Sequence, residues 1–554
     1  MVATGGRPSG KASSPTKASP SEVLRVTGLR SAGRTVLARI SIDSLIGTII
    51  PPLCLACVPR NGQNVPMTLQ SEDLTFATHA PATNAEYARY PIAGSIEVAA
   101  AVASARSAAS WWSARTAEER CATLLAWNRL IVSRIDEAAA LIVAEGGKPE
   151  SDARLEITLA IDHLAWAAKN AGRYLAPSRR SPGLLMMNMS ATVEHAPLGV
   201  VGVIGPWNYP IFTPMGSIAY ALAAGNTVVF KPSQYTPGIG VWLANTLREV
   251  VPEHALLTTI TGEAMTGEEL CKSAVDKIAF TGSTRTAKKV AATCAESLKP
   301  LIAECGGKDA VIIAADANVK DAAENTLWAA MSNAGQTCIA AERVYVHEKV
   351  ADEFIRLITA EAKNVKAGTS YGAATMPSQI GIIASHIDDA LNKGGVALVG
   401  GRESVQAPYV SPVILSEVPE DSTAVTEETF GPTLVINRVK SMDEAIAKSN
   451  ALRYGLGASV WSKRHGSKIA SQLHAGMVSI NSVLAFAAVP SVPFGGVGDS
   501  GYGRIHGPEG LREFTYARSV IKPRYKSPIQ FTTFRRTKKT DNIIAGLVKI
   551  LFGR

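Results

Sequence analysis

Three side chains of different chemistry stand in turn-forming stretches. Cys338 lies in Asn333-Ala334-Gly335-Gln336-Thr337-Cys338-Ile339, behind a helical run at Asp321–Met331. Glu304 lies in Glu304-Cys305-Gly306-Gly307-Lys308, and Asn208 in Gly205-Pro206-Trp207-Asn208-Tyr209-Pro210. Together they are what covalent chemistry on a carbonyl requires. The thiol attacks, the amide steadies the developing oxyanion, and the carboxylate moves protons. Singly, each has a plainer reading. A lone Cys is most often a small buried hydrophobe, a Glu beside glycines a strand-end charge, and an Asn before Tyr-Pro a turn residue. The conjunction carries the functional reading.

With Lys231-Pro232-Ser233, Phe280-Thr281-Gly282-Ser283, Glu428-Thr429-Phe430-Gly431-Pro432 and Pro493-Phe494-Gly495-Gly496, these stretches form an ordered series. The series resembles the aldehyde dehydrogenase superfamily from about Pro91 to Lys522. The resemblance implies NAD(P)-dependent, hydrolytic aldehyde oxidation. Cys338 would form a thiohemiacetal and then a thioester, Asn208 and the Cys338 N–H would hold the oxyanion, and Glu304 would activate water. It also implies a cofactor cleft lined by Ile204, Pro206 and Trp207. Lys231 and Ser233 would lie at the adenosine ribose, Gly282 and Ser283 at the pyrophosphate, and Glu428 and Phe430 at the nicotinamide ribose.

Gln234 departs from the family pattern, in which NAD-preferring members usually carry Glu. It keeps a hydrogen bond to a ribose hydroxyl and loses the repulsion of a 2′-phosphate, so both NAD and NADP are expected. Cys305 stands where Leu is usual, and reads as a small apolar filler open to oxidation. Tyr209–Tyr220 carries no Arg or Lys. With Tyr209, Phe212 and Phe494 expected at the substrate tunnel, this favours an apolar aldehyde. A CoA-acylating relative would not need Glu304, and a non-enzymatic paralogue would be free to lose Cys338, Asn208 or Glu304.

The elements that must position these residues follow from pattern. A chain of 554 residues exceeds one core. Ser95 can cap a helix over Ile96–Ala109, Thr116 and Glu119 form a capping box for a run to about Ala144, and Ser151–Ala168 is amphipathic. Leu184–Ala196 alternates as paired strands, a hairpin that the resemblance assigns to oligomer contact. From Pro197, short apolar strands alternate with helices (Val200–Ile204, Thr227–Phe230, Lys277–Thr281). After Gly307 a second series runs through Val311–Ile313, Val344–Val346, Val460-Trp461 and Val478–Asn481. The fold class is therefore α/β, with two doubly wound parallel-sheet domains and a small β oligomerisation element. No G-x-G-x-x-G follows the strands of the first series, but a strand followed by Gly282-Ser283 and a helix can still receive a phosphate.

The expected domains are a cofactor-binding unit over residues 67–306, interrupted by the hairpin at about 180–196, and a catalytic unit over 307–509. An oligomerisation strand at 510–522 would pair with the hairpin of another subunit, giving a homo-oligomer, dimer or tetramer.

The net charge of +9 sits at the ends: residues 1–66 carry +6 and residues 522–554 carry +8, leaving −5 for the body. The body thus has no basic footprint for nucleic acid. Residues 1–66 read as a disordered extension, as a targeting segment, or as a consequence of a misassigned start upstream of Met67. Seven scattered cysteines fit a reducing, cytoplasmic setting. Cys54 and Cys57 lack a second pair at zinc spacing, and no metal site is expected. The tail, 523–554, sets Arg535-Arg536 and Lys538-Lys539 before a one-faced apolar helix, Ile543–Phe552. Such a helix can lie on an anionic membrane surface as a peripheral contact, or dock on the protein itself.

Overall fold

The computed structural model describes residues 75–527 and 532–553, all within one compact unit. The readings made for residues 1–66 and for Cys54 and Cys57 lie outside them. Two open sheets form the body. The first has six strands in the order Gly501–Tyr502, Leu301–Glu304, Lys277–Thr281, Val200–Ile204, Thr227–Lys231 and Leu257–Thr259. The second has seven: Val396–Val399, Val413–Ser416, Thr433–Val439, Arg343–His347, Ala310–Ile313, Gly457–Trp461 and Met477–Ile480. Each is parallel except for one antiparallel edge, Gly501–Tyr502 in the first and Val396–Val399 in the second. The central strands are continuous Val/Ile/Ala runs, as burial on both faces by helices demands.

Several local expectations change. Gly94, not Ser95, occupies the cap of helix Ser95–Ser113, and the Glu97 carboxylate accepts the Gly94 N–H at 2.9 Å. The Thr116/Glu119 box forms, but its helix ends at Ser133. Arg134 leaves helical geometry, a second helix covers Ile135–Gly146, and Gly147 closes it at φ 74°. Helix Glu150–Tyr174 runs beyond the expected Ala168.

The hairpin is built from Ser178–Arg180 and Met189–Pro197, with Leu184–Met186 a short helical turn at its tip. Residues 510–513 belong to helix Gly507–Glu513, and the following strand, Thr515–Pro523, pairs with Met189–Pro197 of the same chain. The expectation that this strand pairs with another subunit's hairpin is therefore replaced by an intrachain three-stranded sheet. Gly501–Tyr502, expected in the second domain, closes the edge of the first sheet beside Glu304. The tail forms helix Lys538–Phe552, with Ile550 and Phe552 well exposed. No helix among the described residues is long and apolar enough to cross a membrane.

Candidate active site

Glu304 is the last residue of strand Leu301–Glu304, in register with Thr281 and Gly501. This is the carboxyl end of an open parallel sheet, where such folds present ligands. Cys338 arrives from the second sheet's side. Helix Val319–Met331 ends, and Asn333, Ala334 and Gly335 follow in left-handed geometry at φ 52°, 57° and 69°. A Cβ on Gly335 would lie 2.0 Å from the Gly431 carbonyl oxygen, so backbone proximity as well as φ requires glycine there. The three-residue turn carries the chain back so that Cys338 meets the cleft.

Cys338, Glu304, Cys305, Tyr209, Phe212 and Phe494 line one cavity of about 290 Å³. Its other walls are mainly apolar, including Leu155, Leu159, Trp328, Val483, Leu484 and Ile505. Leu155 and Trp328 are about half exposed, at 48% and 51%, and mark the apolar outer rim. Lys148 is the sole Lys or Arg on the lining, and its ammonium is bound 2.6 Å from the Glu156 carboxylate.

Asn208 stands one layer behind the lining. Its amide donates to the Gln336 carbonyl at 3.0 Å, leaving the second N–H of the amide without a partner among the described residues. Its own carbonyl accepts from Lys148 Nζ at 2.8 Å and from Asn333 Nδ2 at 3.1 Å. Tyr209 reaches the same loop through a 2.9 Å bond to Thr337 Oγ1. The amide and the nucleophile's loop are thus fastened together from both sides.

Glu304 is buried and both its carboxylate oxygens lack a partner. Burial raises its pKa well above the ordinary value, against the pull of Arg504. Burial likewise raises the Cys338 thiol, with Glu428, Asp309 and Glu304 adding to the effect. Burial thus disfavours the charged form of both side chains. Cys305 is buried beside them, its thiol pushed up to about 12 by burial.

The cofactor candidates gather along the first sheet's edge and across from it. Ile204 is in register with Lys231 and with Phe280. Lys231 is buried, and desolvation lowers its amine to about 8 against the opposing charge of Glu263. Ser233 Oγ accepts the Tyr235 N–H, and Gln234 is half-buried beside it. Ser283 caps helix Thr284–Glu296, so that helix presents its free N–H end next to Gly282. Trp207 meets Phe430 edge to face, with ring centroids 5.5 Å apart. Phe430 itself holds φ 52°.

Glu428 accepts the Gly307 N–H while its Oε1 has no partner, and burial raises its carboxyl to about 8. A Cβ on Gly306 would lie 1.9 Å from that oxygen, which explains the glycine. A buried lysine without an ion pair, an orphaned carboxylate oxygen and an open helix N-terminus fit a dinucleotide with its two riboses and pyrophosphate.

Two buried ion pairs were missed by sequence reasoning. Lys148–Glu156 holds the Asn208 turn: Lys148 donates to the Asn208 carbonyl, and the Glu156 carboxylate accepts the N–H groups of Ile211 and Phe212 at 2.9 and 3.2 Å. Lys308–Glu342 does the same for the Glu428 loop, where Glu342 accepts the Thr429 and Phe430 N–H groups. Among the described residues no group of three or more His, Cys, Asp or Glu side chains is placed to hold a metal ion.

Comparison with known proteins finds relatives over most of the chain. A family model described as "Aldehyde dehydrogenase family" matches residues 68–520. A Mycobacterium tuberculosis protein named "Putative succinate-semialdehyde dehydrogenase (NADP+) 2" is 36% identical over 445 residues, covering 78% of this chain and 86% of that one. The 4,4′-diapolycopene aldehyde oxidase of a Methylomonas species is 31% identical over 487 residues, covering 86% and 92%. The solved structure of PnpE from Pseudomonas sp. WBC-3 in complex with nicotinamide adenine dinucleotide superposes with a TM-score of 0.78 at 33% identity, covering 83% of this chain and 96% of that one.

Proposed function

The chain belongs to the aldehyde dehydrogenase family and is an NAD(P)-dependent enzyme that oxidises an aldehyde to a carboxylic acid; on that premise we propose the residue roles and the substrate class. The observation that carries the reading is that Cys338 and Glu304 face one apolar cavity, with the Asn208 amide fastened to the same loop.

Cys338 is the nucleophile. Its proton leaves as the sulfur attacks the carbonyl carbon, and Glu304, an unpartnered carboxylate on the same cavity, takes it once it has itself ionised. The oxyanion of the thiohemiacetal is received by the free N–H of Asn208 and the Cys338 backbone N–H. NAD or NADP, when bound, supplies the hydride acceptor. Loss of hydride leaves a thioester on Cys338. Glu304 then takes a proton from water as the water attacks, and the thiol is released with the acid product. Lys231, Ser233, Ser283, Glu428 and Phe430 hold the cofactor. Gln234 admits either NAD or NADP, since its amide does not repel a 2′-phosphate.

The substrate is an apolar aldehyde. The lining offers no unpaired cation to a distal carboxylate, because Lys148 is tied to Glu156. The relative named 4,4′-diapolycopene aldehyde oxidase supports this more closely than the relatives named for succinate semialdehyde do. The protein assembles as a homo-oligomer, supported by the exposed apolar arm tip at Leu184 and Met187. Its setting is cytoplasmic, with helix Lys538–Phe552 and the adjoining basic cluster as a peripheral membrane contact.

The test is reduced-nicotinamide formation from a panel of alkyl, aromatic and carboxyl-bearing aldehydes with each cofactor, for the native protein and Cys338→Ala. Activity on apolar aldehydes that vanishes in the variant is expected. Preference for succinate semialdehyde would overturn the substrate class, and a more than roughly hundredfold bias against NADP, well beyond one lost contact, would overturn dual cofactor use.

A further inference from the structure

A second cavity, of about 430 Å³, lies away from the cleft against the three-stranded sheet. It is lined by Arg173, Tyr174, Ser178, Arg180, His195 and Arg512, among others. These come from four places: the end of helix Glu150–Tyr174, strands Ser178–Arg180 and Met189–Pro197, and helix Gly507–Glu513.

The sheet sorts its charges by face. Paired residues across an antiparallel ladder share a face, and alternate residues along a strand do too. Ser178 pairs with Val193 and Arg180 with Ala191, so Arg180 and His195 project to the same side. Glu194 is the one acid on the three strands. It projects to the opposite side, where it is paired with Arg518 at 2.7 Å.

The cavity side thus gathers three guanidiniums and an imidazole. Arg173 and Arg180 form no ion pair among the described residues; Arg173 lies over the Tyr174 ring at 5.2 Å. Arg512 has Glu509 at 3.8 Å, one turn back along its own helix, both side chains about half exposed. His195 bonds to Thr515 Oγ1 at 3.2 Å. Burial, and after it Arg512 and Arg180, lower the His195 pKa, so the positive potential is felt inside the groove. A bound anion would reverse that last effect.

We propose that this groove is a binding site for a phosphate group, separate from the catalytic cleft, with Arg173, Arg180 and Arg512 as its ligands and His195 as a further donor. Planar guanidiniums converging from separate elements suit a multiply charged tetrahedral oxyanion, which accepts several charge-assisted bonds at once. The phosphate can come from a free anion or from a lipid headgroup, and the groove chemistry is the same for both.

The experiment is calorimetric titration of pyrophosphate into the holoenzyme kept saturated with NAD, which blocks the cofactor's own phosphate site. Expected is one site per chain that weakens with salt. The Arg180→Ala/Arg512→Ala double variant should bind at least about tenfold more weakly, while Arg518→Ala, on the opposite face, binds as wild type. Both variants should keep their dehydrogenase rate and melting temperature. A parallel arm measures co-sedimentation with phosphatidylglycerol vesicles, using a chain truncated before residue 532. Loss of vesicle binding in the double variant, with little response to pyrophosphate, assigns the phosphate to a headgroup. The proposal fails if neither probe binds, if binding is unchanged in the double variant, or if pyrophosphate binds only when NAD is absent. The first outcome is also what a groove covered by a second copy of the chain would give.

Discussion

Two sets of buried carboxylates around the cleft are the same kind of side chain used in opposite ways. Glu156, which shares the cavity lining with Lys148, and Glu342 each face a lysine and accept two backbone N–H groups. On the cleft, Glu304 has no partner for either oxygen and Glu428 has none for Oε1. Desolvation is unfavourable for all four carboxylates. In the lysine-paired set, bonds offset it and the product is a fixed backbone at Ile211–Phe212 and Thr429–Phe430. For Glu304 and Glu428 the offset is partial, from Arg504 and from the Gly307 N–H, their pKa values rise, and bonding capacity is kept for a reactant. Burial alone therefore does not separate a carboxylate that holds the backbone from one proposed to work on a reactant; the count of satisfied oxygens does.

The comparison can be broken at four points. Glu304→Gln keeps the shape and removes the base. A single burst of reduced nicotinamide per active site is expected, followed by turnover slowed by about 100- to 10,000-fold. Full steady-state turnover would move Glu304 out of the working class. Lys148→Met strands Glu156 without its cation, and equilibrium urea unfolding should show a loss of about 3–5 kcal/mol. Adding Glu156→Gln, which still accepts the Ile211 and Phe212 N–H groups, should recover part of it. No recovery would mean that lost packing, not a stranded charge, dominates.

Asn208→Ala should lower kcat by roughly 100- to 1000-fold with little change in KM. A change confined to KM would place the amide in binding rather than in oxyanion stabilisation. The smallest effect is on pH dependence. In the cofactor-free protein the Glu428 carboxyl sits at about 8 against an ordinary 4.5. The stability associated with its protonated form is complete below the ordinary value and is lost as pH rises through about 8. Glu428→Gln should flatten that decline, measured as urea midpoints across the interval.

Most of the chemistry was legible because each reactive residue sits in a short local motif whose glycines and prolines report their own geometry. The Gly306-Gly307 doublet is explained by Glu428 and Leu456 packing against it, a reason invisible in sequence though its mark is visible. What was not legible depends on contacts far apart in the chain. Lys148 matters through Asn208, sixty residues on. Thr515–Pro523 shows a strand but not its partner, and the pairing with Met189–Pro197 spans more than three hundred residues. The Arg134 break carries no Pro or Gly to announce it. The substrate wall was legible only at Tyr209, Phe212 and Phe494; Leu155, Leu159 and Trp328 lie on helices whose patterns report burial, not what they enclose.

The apolar cavity also sets a thermodynamic ladder for its substrates. Each further methylene drawn from water past Phe212 and Phe494 should add roughly 0.8 kcal/mol, or about fourfold in affinity. The increments should come with an increasingly negative heat-capacity change of binding. They should cease once the alkyl chain reaches Leu155 and Trp328, where the wall is already open to solvent. The chain length at which the ladder flattens would therefore measure the depth from the rim to the Cys338 sulfur.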